Sequence, residues 1–293
     1  MKRNLFTTLL ATCIFIMYSS CYKTGETIYQ PTCKPNSIVI SRAMYNFLNF
    51  FDFDLVQEFN GNLVYDANSR LIQATHFISG SPANIFEFIY DANNNLIRIN
   101  DYDTVQGNPL LLASYYTFSY PSGTVSSISS TAQVQLSIVD YVNHIIAHVN
   151  WTYNFNAQFQ LESIFQGQVK VEQLTYDFGG NCQTDSVYSE GGQLLSYYVY
   201  SSYDNGINPA RSDRSLQLFF QMYNKNNPTN SVHYSGAAGA DPNSFVIDKS
   251  TSGSYLYNLY NYPTVYAGNF FAQYNCQVAP PPPPIILPAT PKG

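Results

Sequence analysis

Apolar and polar positions alternate along most of this chain, and short polar turns that resemble one another interrupt the alternation. "LVYDANSRLIQ" (Leu63 to Gln73) is followed twenty-five residues later by "FIYDANNNLIR" (Phe88 to Arg98). Each copy reads as an aromatic residue, a polar D-A-N-x-x turn, then Leu-Ile and renewed alternation. "FNAQFQLESI" (Phe155 to Ile164) aligns without gaps to "YDANSRLIQA". "YPSGTVSSI" from Tyr120 and "FGGNCQTDSV" from Phe178 are weaker copies. The intervals hold two strands of ordinary length with their connections, and Asn, Asp and Gly tolerate the left-handed backbone that a tight turn needs. Each unit is therefore predicted to be a β-hairpin.

Between Val139 and Phe155 the period of two is clearest. Val139, Tyr141, Ile145, Ala147, Val149, Trp151, Tyr153 and Phe155 share one parity, with Asn143 the exception; Asp140, His144, His148, Asn150, Thr152 and Asn154 share the other. Successive strand side chains point to opposite faces, so the stretch predicts a strand, or two sharing a bend, with the first set buried. Leu194 to Tyr203 and Tyr255 to Tyr266 repeat the pattern. The fold expected is all-β: an antiparallel hairpin meander of ten or more strands. Such a meander forms one large curled sheet or a closed or half-open barrel. Residues 33–278 form its single domain, with hardly any helix.

Composition agrees. Charged residues are 11% of the chain and aromatics 16%, with 26 Tyr and 20 Phe, a mixture suited to half-exposed strands. Net charge is −6, and the 13 Lys and Arg are scattered, so the basic stripe that nucleic-acid binding demands is missing.

The N-terminus changes the picture. Lys2 and Arg3 precede a thirteen-residue apolar run, Leu5 to Met17, shorter than the roughly 20 residues that span a bilayer. "YSSC" (Tyr18 to Cys21) resembles the lipobox of bacterial lipoproteins, with Tyr18 where an aliphatic residue is usual. That resemblance makes residues 1–20 a signal peptide and Cys21 the lipid-attachment site. It also makes 21–32 a lipid-proximal tether, and the partner it implies is a membrane, reached through the anchor. At the other end, "APPPPPIILPATPKG" (279–293) reads as an extended, disordered proline-rich tail.

Cys13 leaves with the signal peptide, so Cys33, Cys182 and Cys276 remain in an oxidising compartment. Cys33 with Cys276 is the expected disulfide if the sheet brings its first and last strands together. An open sheet leaves Cys33 to pair with Cys182 or with nothing. Closing a loop of that length restricts the unfolded chain by about 5 kcal/mol in the loop-entropy description.

Tyr-Asp-x-x-Asn-x-Leu hairpins resemble those of the YD/RHS repeat proteins. A closer likeness rests on "TCKPNSI" (Thr32 to Ile38), the two YDAN copies, "YDNGINP" (Tyr203 to Pro209), "YLYNLYNYP" (Tyr255 to Pro263) and "QYNC" (Gln273 to Cys276), in that order. In these the chain resembles Bacteroidota lipoproteins of unknown function with a porin-like β fold. The resemblance spans about Cys33 to Cys276. It implies a fold and an outer-membrane location, with the side of that membrane open, and no activity.

Candidate chemistry is sparse. His144 and His148 are spaced as metal ligands would be on a helix; on a strand they lie about 13 Å apart, too far to share one ion. His76 and His233 are isolated. Asp52 and Asp54, like Asp101 and Asp103, would share a strand face about 7 Å apart. That is near glycosidase spacing, but such pairs bracket a substrate from separate elements, so both pairs are expected to face water. No nucleophile elbow, phosphate loop, dinucleotide fingerprint or zinc motif occurs, and no catalytic residue, cofactor or metal is assigned. The surplus tyrosines (Tyr197, Tyr198, Tyr200, Tyr203, Tyr255, Tyr257, Tyr260, Tyr262) suit cross-strand pairing first, and a glycan or peptide surface second. The reading is an outer-membrane-anchored, non-enzymatic binding or structural module. Its alternatives are a carrier of an apolar ligand inside the curled sheet and a surface enzyme acting on glycans.

Overall fold

The computed structural model describes residues 32–41, 58–103, 111–120, 131–139, 145–158, 160–211, 213–220, 222–266 and 270–277. Cys21, Asp52, Asp54, His144, the tether before Thr32 and the proline-rich tail lie outside them. Cys33–Cys276 forms one compact unit, to which the description below is confined.

Among the described residues seventeen strands follow one another. They are β1 (Thr32–Ser41), β2 (Glu58–Tyr65), β3 (Leu71–Ile78), β4 (Ser81–Tyr90), β5 (Leu96–Asp103) and β6 (Leu111–Ser119). Next come β7 (Thr131–Val139), β8 (Ile145–Phe155), β9 (Leu161–Gln166), β10 (Val169–Tyr176), β11 (Cys182–Tyr188) and β12 (Leu194–Tyr203). After a helix, α1 (Arg214–Phe220), the chain ends with β13 (Pro228–Ser235), β14 (Val246–Ser252), β15 (Tyr255–Tyr257), β16 (Pro263–Tyr266) and β17 (Phe270–Gln277). Antiparallel registers join each strand to the next from β1 to β14, and again from β15 to β17. β1 also pairs with β17, and Cys33 is disulfide-bonded to Cys276 with Cα atoms 4.0 Å apart. Among the described residues no register joins β14 to β15. The sheet is thus an antiparallel meander curled until its ends meet, and not a closed barrel.

One turn recurs. In six hairpins of the described residues an aromatic residue stands opposite the residue six positions on: Tyr65 and Leu71, Tyr90 and Leu96, Phe155 and Leu161, Tyr176 and Cys182, Tyr188 and Leu194, Tyr257 and Pro263. In the first copy Asp66 N–H donates to the Arg70 carbonyl, and Ser69 N–H to the Asp66 carbonyl. The Asp66 carboxylate accepts from the N–H groups of Asn68 and Arg70. The fifth residue of the turn is left-handed: Ser69, Asn94, Gly180, Gly192 and Asn261 have φ between 62° and 83°. Asn and Gly fit there at least cost. The copy expected to begin at Phe178 begins instead at Tyr176. Asp177 makes the turn bonds, because the motif is anchored by its Asx residue and not by whichever aromatic lies nearest.

Tyrosines at or near strand ends, three of them turn aromatics (Tyr65, Tyr90 and Tyr176), have a second task. Tyr65 donates its hydroxyl to the Pro35 carbonyl, Tyr90 to that of Leu71, Tyr120 to Leu96, Tyr176 to Leu161, Tyr203 to Cys182 and Tyr274 to Pro263. Five of these acceptors (Leu71, Leu96, Leu161, Cys182 and Pro263) open the strand that follows a recurrent turn, so each of those hydroxyls ties one hairpin to its neighbour.

The interior is mainly apolar and is filled by the chain itself. Asp213 caps α1, accepting from the N–H groups of Ser215 and Leu216, and Lys34 pairs with its other oxygen at 2.9 Å. Leu216, Leu218, Phe219, Phe220, Met222 and Tyr223 are all buried. The Phe219 ring lies 5.7 Å from Phe59, 5.0 Å from Phe86 and 5.3 Å from Phe88, reaching two strands at once. Tyr153 and Phe155 at the far end of β8 are buried, as their parity predicts, yet Ile145 and Ala147 on the same parity are exposed. Phe155 lies within reach of the plug residue Tyr223, 6.4 Å away, and parity alone does not show where such filling ends.

The outer face is polar and paired across strands. Gln135 bonds Asn150, Thr152 bonds Gln133, Thr175 bonds Thr184, and Asn100 bonds Glu87. The tyrosine surplus is largely spent on cross-strand and core contacts. Tyr197 stacks on Tyr234 at 4.8 Å, Tyr255 lies 4.5 Å from Tyr266, and Tyr198 and Tyr200 are buried.

Two substitutions test this account. Tyr90→Phe removes the bond to Leu71 and the 2.6 Å contact with the Ser215 hydroxyl. It should cost about 1–3 kcal/mol in urea denaturation, and an unchanged midpoint would discount the hydroxyl ladder. At Gly61 an added Cβ would meet the Thr75 carbonyl oxygen at 2.4 Å and the Phe59 ring at 2.5 Å. Gly61→Ala should therefore cost about 1–3 kcal/mol by overpacking, read from the same denaturation curve.

Candidate functional site

The described histidines do not converge. His148 lies 3.1 Å from the Ser137 hydroxyl, and His233 pairs with Asp248 at 2.5 Å. His76 is buried against Phe59, their ring centroids 5.3 Å apart. No group of three or more His, Cys, Asp or Glu suited to a metal occurs among the described residues.

Asp101 and Asp103 were expected to face water; Asp101 does not. Opposed residues on antiparallel strands share a face, and Asp101 stands opposite Phe86, a core residue in contact with Phe219. Asp103 stands opposite Asn84 on that same inner face. Asn84 Nδ2 donates to Asp101 Oδ1 at 3.2 Å and to Asp103 Oδ1 at 2.5 Å, and the Ser114 hydroxyl reaches Asp101 Oδ2 at 3.4 Å. Burial, then the Asp103 charge, push Asp101 up to about 7; burial raises Asp103 as well. The pair can hold and release a proton near neutrality. It lies on one strand and does not bracket a space from two sides, as glycosidic carboxylates do.

A second acidic pair escaped the sequence reading. Glu172 on β10 and Asp185 on β11 are both buried. Glu172 is held well above the ordinary carboxylate range, first by burial and then by the charge of Asp185 and a hydrogen bond with it. Two carboxyl groups so placed share a proton. Burial raises the neighbouring Cys182 thiol and the hydroxyls of Tyr153, Tyr176, Tyr200 and Tyr223 as well, so the pocket around them is neutral. Parity carried the signal: Glu172 precedes buried Leu174 by two positions, on the same face.

On the outer wall, the turn at 156–160 and the turn at 177–181 flank a cavity of about 510 Å3. Gln158, Glu162, Gln173, Thr175, Asp177 and Phe178 are among its lining residues. The Phe178 ring is fully exposed.

No family model matches this sequence, and no curated protein does. Among solved structures, the chain is similar to a porin-like protein from Bacteroides vulgatus ATCC 8482. The TM-score is 0.32 and the identity 10%, over 83% of this chain and 98% of the other. It is also similar to a porin-like protein from Bacteroides uniformis ATCC 8492, at TM-score 0.32 and 8% identity, over 83% and 94% of the two chains.

The Asp101 geometry fixes a pH dependence. A carboxyl whose folded pKa is raised favours folding while protonated, fully so below its unfolded value near 4. That stability is lost as pH rises toward about 7. Asp101→Asn should match the parent protein at pH 4 and exceed it at pH 8 by up to about 4 kcal/mol. Urea denaturation across that range reads the difference; parallel curves would contradict the burial of a proton at Asp101.

Proposed function

We propose that this protein is an exported lipoprotein, held to the outer membrane by lipid on Cys21. Its β domain stands in water as a non-enzymatic binding or structural module. The observation that carries the reading is the polarity of the two faces. A barrel embedded in a bilayer turns an apolar band outward and keeps its interior polar. Here the outer face carries Gln133, Gln135, Asn150, Thr152, Thr175 and Thr184 in cross-strand hydrogen bonds, while Phe59, Phe86, Phe88 and Tyr116 are buried within. That wall suits water, so membrane attachment falls to the N-terminal anchor.

The filled interior argues in the same direction. The space where a carrier would hold an apolar cargo contains Phe219 and Phe220, packed against Phe59. The buried acidic pairs are explained as shared protons within the fold, without a substrate between them.

Cys21→Ser tests the anchor. The full chain should lose metabolic labelling by radiolabelled palmitate and move from the membrane pellet to the soluble fraction, while keeping its β-type circular dichroism. Retention in the membrane pellet without lipid label would defeat the proposal.

A further inference from the structure

The recurrent turn supplies an internal control on its own tip. The residue two positions after the aromatic is exposed in all six hairpins: Ala67, Ala92, Ala157, Phe178, Glu190 and Leu259. Alanine serves in three of them, so the backbone asks for no large side chain there. Phe178 nonetheless presents its whole ring to solvent, forgoing the stabilisation that burying a Phe side chain yields. A ring so placed has no role in its own turn, and it borders the cavity of about 510 Å3 between the two hairpin tips.

The polar lining beside it is unspent. The side chains of Gln158 and Glu162 make no hydrogen bond among the described residues. Gln173 accepts from Lys170 at its carbonyl oxygen, which leaves its amide N–H groups to the cavity. Donors and acceptors are therefore mixed around one flat apolar surface. A sugar ring matches that arrangement, with C–H groups on its face and hydroxyls that both donate and accept on its rim. Glu162 and Asp177 make the lining acidic, which disfavours phosphorylated or uronic ligands. A peptide adding itself as a strand finds no place here. β9 is already paired with β8 and β10, and β10 with β9 and β11, so no strand edge is offered.

We infer that this groove binds a neutral saccharide, with Phe178 stacked on the sugar face and Gln158, Glu162 and Gln173 bonding its hydroxyls. The inference deepens the binding-module reading by naming its site and ligand class. The test is affinity electrophoresis of the full chain in gels containing glucan, xylan or mannan, with polygalacturonate as the anionic comparison. Isothermal titration with the hexasaccharide of any retarding polymer follows. At least one neutral polymer should retard the protein, and Phe178→Ala should weaken that binding tenfold or more. Leu259→Ala, at the equivalent tip of another hairpin, should leave binding unchanged. Phe178→Ala should keep the parent melting temperature, since alanine occupies the same position in three sister turns. Should it unfold, Gln158→Ala carries the test, with weakened binding expected. Retardation by none of the neutral polymers, stronger retardation by polygalacturonate, or neutral binding indifferent to both substitutions would overturn the saccharide site. None of these outcomes alters the Cys21→Ser result, so the anchor and the groove fail separately.

Discussion

The tyrosine hydroxyl that reaches across to a neighbouring hairpin's backbone is the constraint on which the rest of this fold depends. A meander of hairpins has only local instructions: each turn specifies its own two strands and says nothing of the next pair. The bond from Tyr90 to the Leu71 carbonyl, and its counterparts from Tyr120, Tyr176 and Tyr203, supply the missing relation. Each sets the stagger of one turn against the one before. A backbone carbonyl at a strand's start has no ladder partner of its own on that side, so the hydroxyl satisfies an acceptor that would otherwise need water. This is why the motif couples Tyr with Asp. The carboxylate closes the turn to which it belongs, and the phenol fixes that turn to its neighbour.

The same row of tyrosines positions the plug. Ser215 of α1 meets the Tyr90 hydroxyl, Lys34 on β1 pairs with the Asp213 cap, and Gln160 donates to the carbonyls of Gly180 and Tyr223. The segment between β12 and β13 is thus tied to turns far apart in sequence before its apolar side chains are counted. Its two phenylalanines then give the inward residues of β2 and β4 something to bury against. A curled sheet with this many strands is too wide for its own side chains to meet across the middle; α1 supplies the filling that wall residues cannot.

How much of this was legible in the sequence depended on the range of the signal. Tyr65, Tyr90 and Phe155 were identified as turn aromatics because the Asx residue and the following Leu stand at fixed local spacing. Tyr188 and Tyr257 do not read as turns of the same kind because Ser189 replaces the Asx residue in one and Pro263 replaces the following Leu in the other, although the six-residue interval to Leu194 and Pro263 is unchanged. α1 was hidden for a different reason. In "RSLQLFF", Leu216, Leu218 and Phe220 alternate as a strand would, and only the surroundings of the plug make those residues helical. Asp101 was assigned to water because two carboxylates on a strand usually lie there. Its true face follows from parity, since buried Ile99 stands two positions before it, and the register sets it opposite Phe86. The groove beside Phe178 joins two hairpins that are consecutive along the outer wall, a juxtaposition that no single repeat carries.

One place in the sheet lacks this mutual reinforcement, and there the side chains do a different job. β14 carries no register to β15, so among the described residues its outer edge is unpaired, with Val246 and Ile247 both more than half exposed. Such an edge invites pairing with another copy. Two antiparallel strands related by a two-fold axis must set one residue opposite its own counterpart, because adjacent pairs alternate between bonded and non-bonded geometry. For β14 the register that engages all seven residues centres on Lys249, and the neighbouring symmetric registers centre on Asp248 and on Ser250, engaging five each. The first two set like charges face to face, which is destabilising across a strand pair. His233 already engages Asp248 at 2.5 Å, so in the second register that carboxylate would also have to leave its partner. The seam that the meander leaves open is therefore guarded by the charges at the centre of its edge, and the apolar residues beside them can stay exposed without recruiting a second copy in full register.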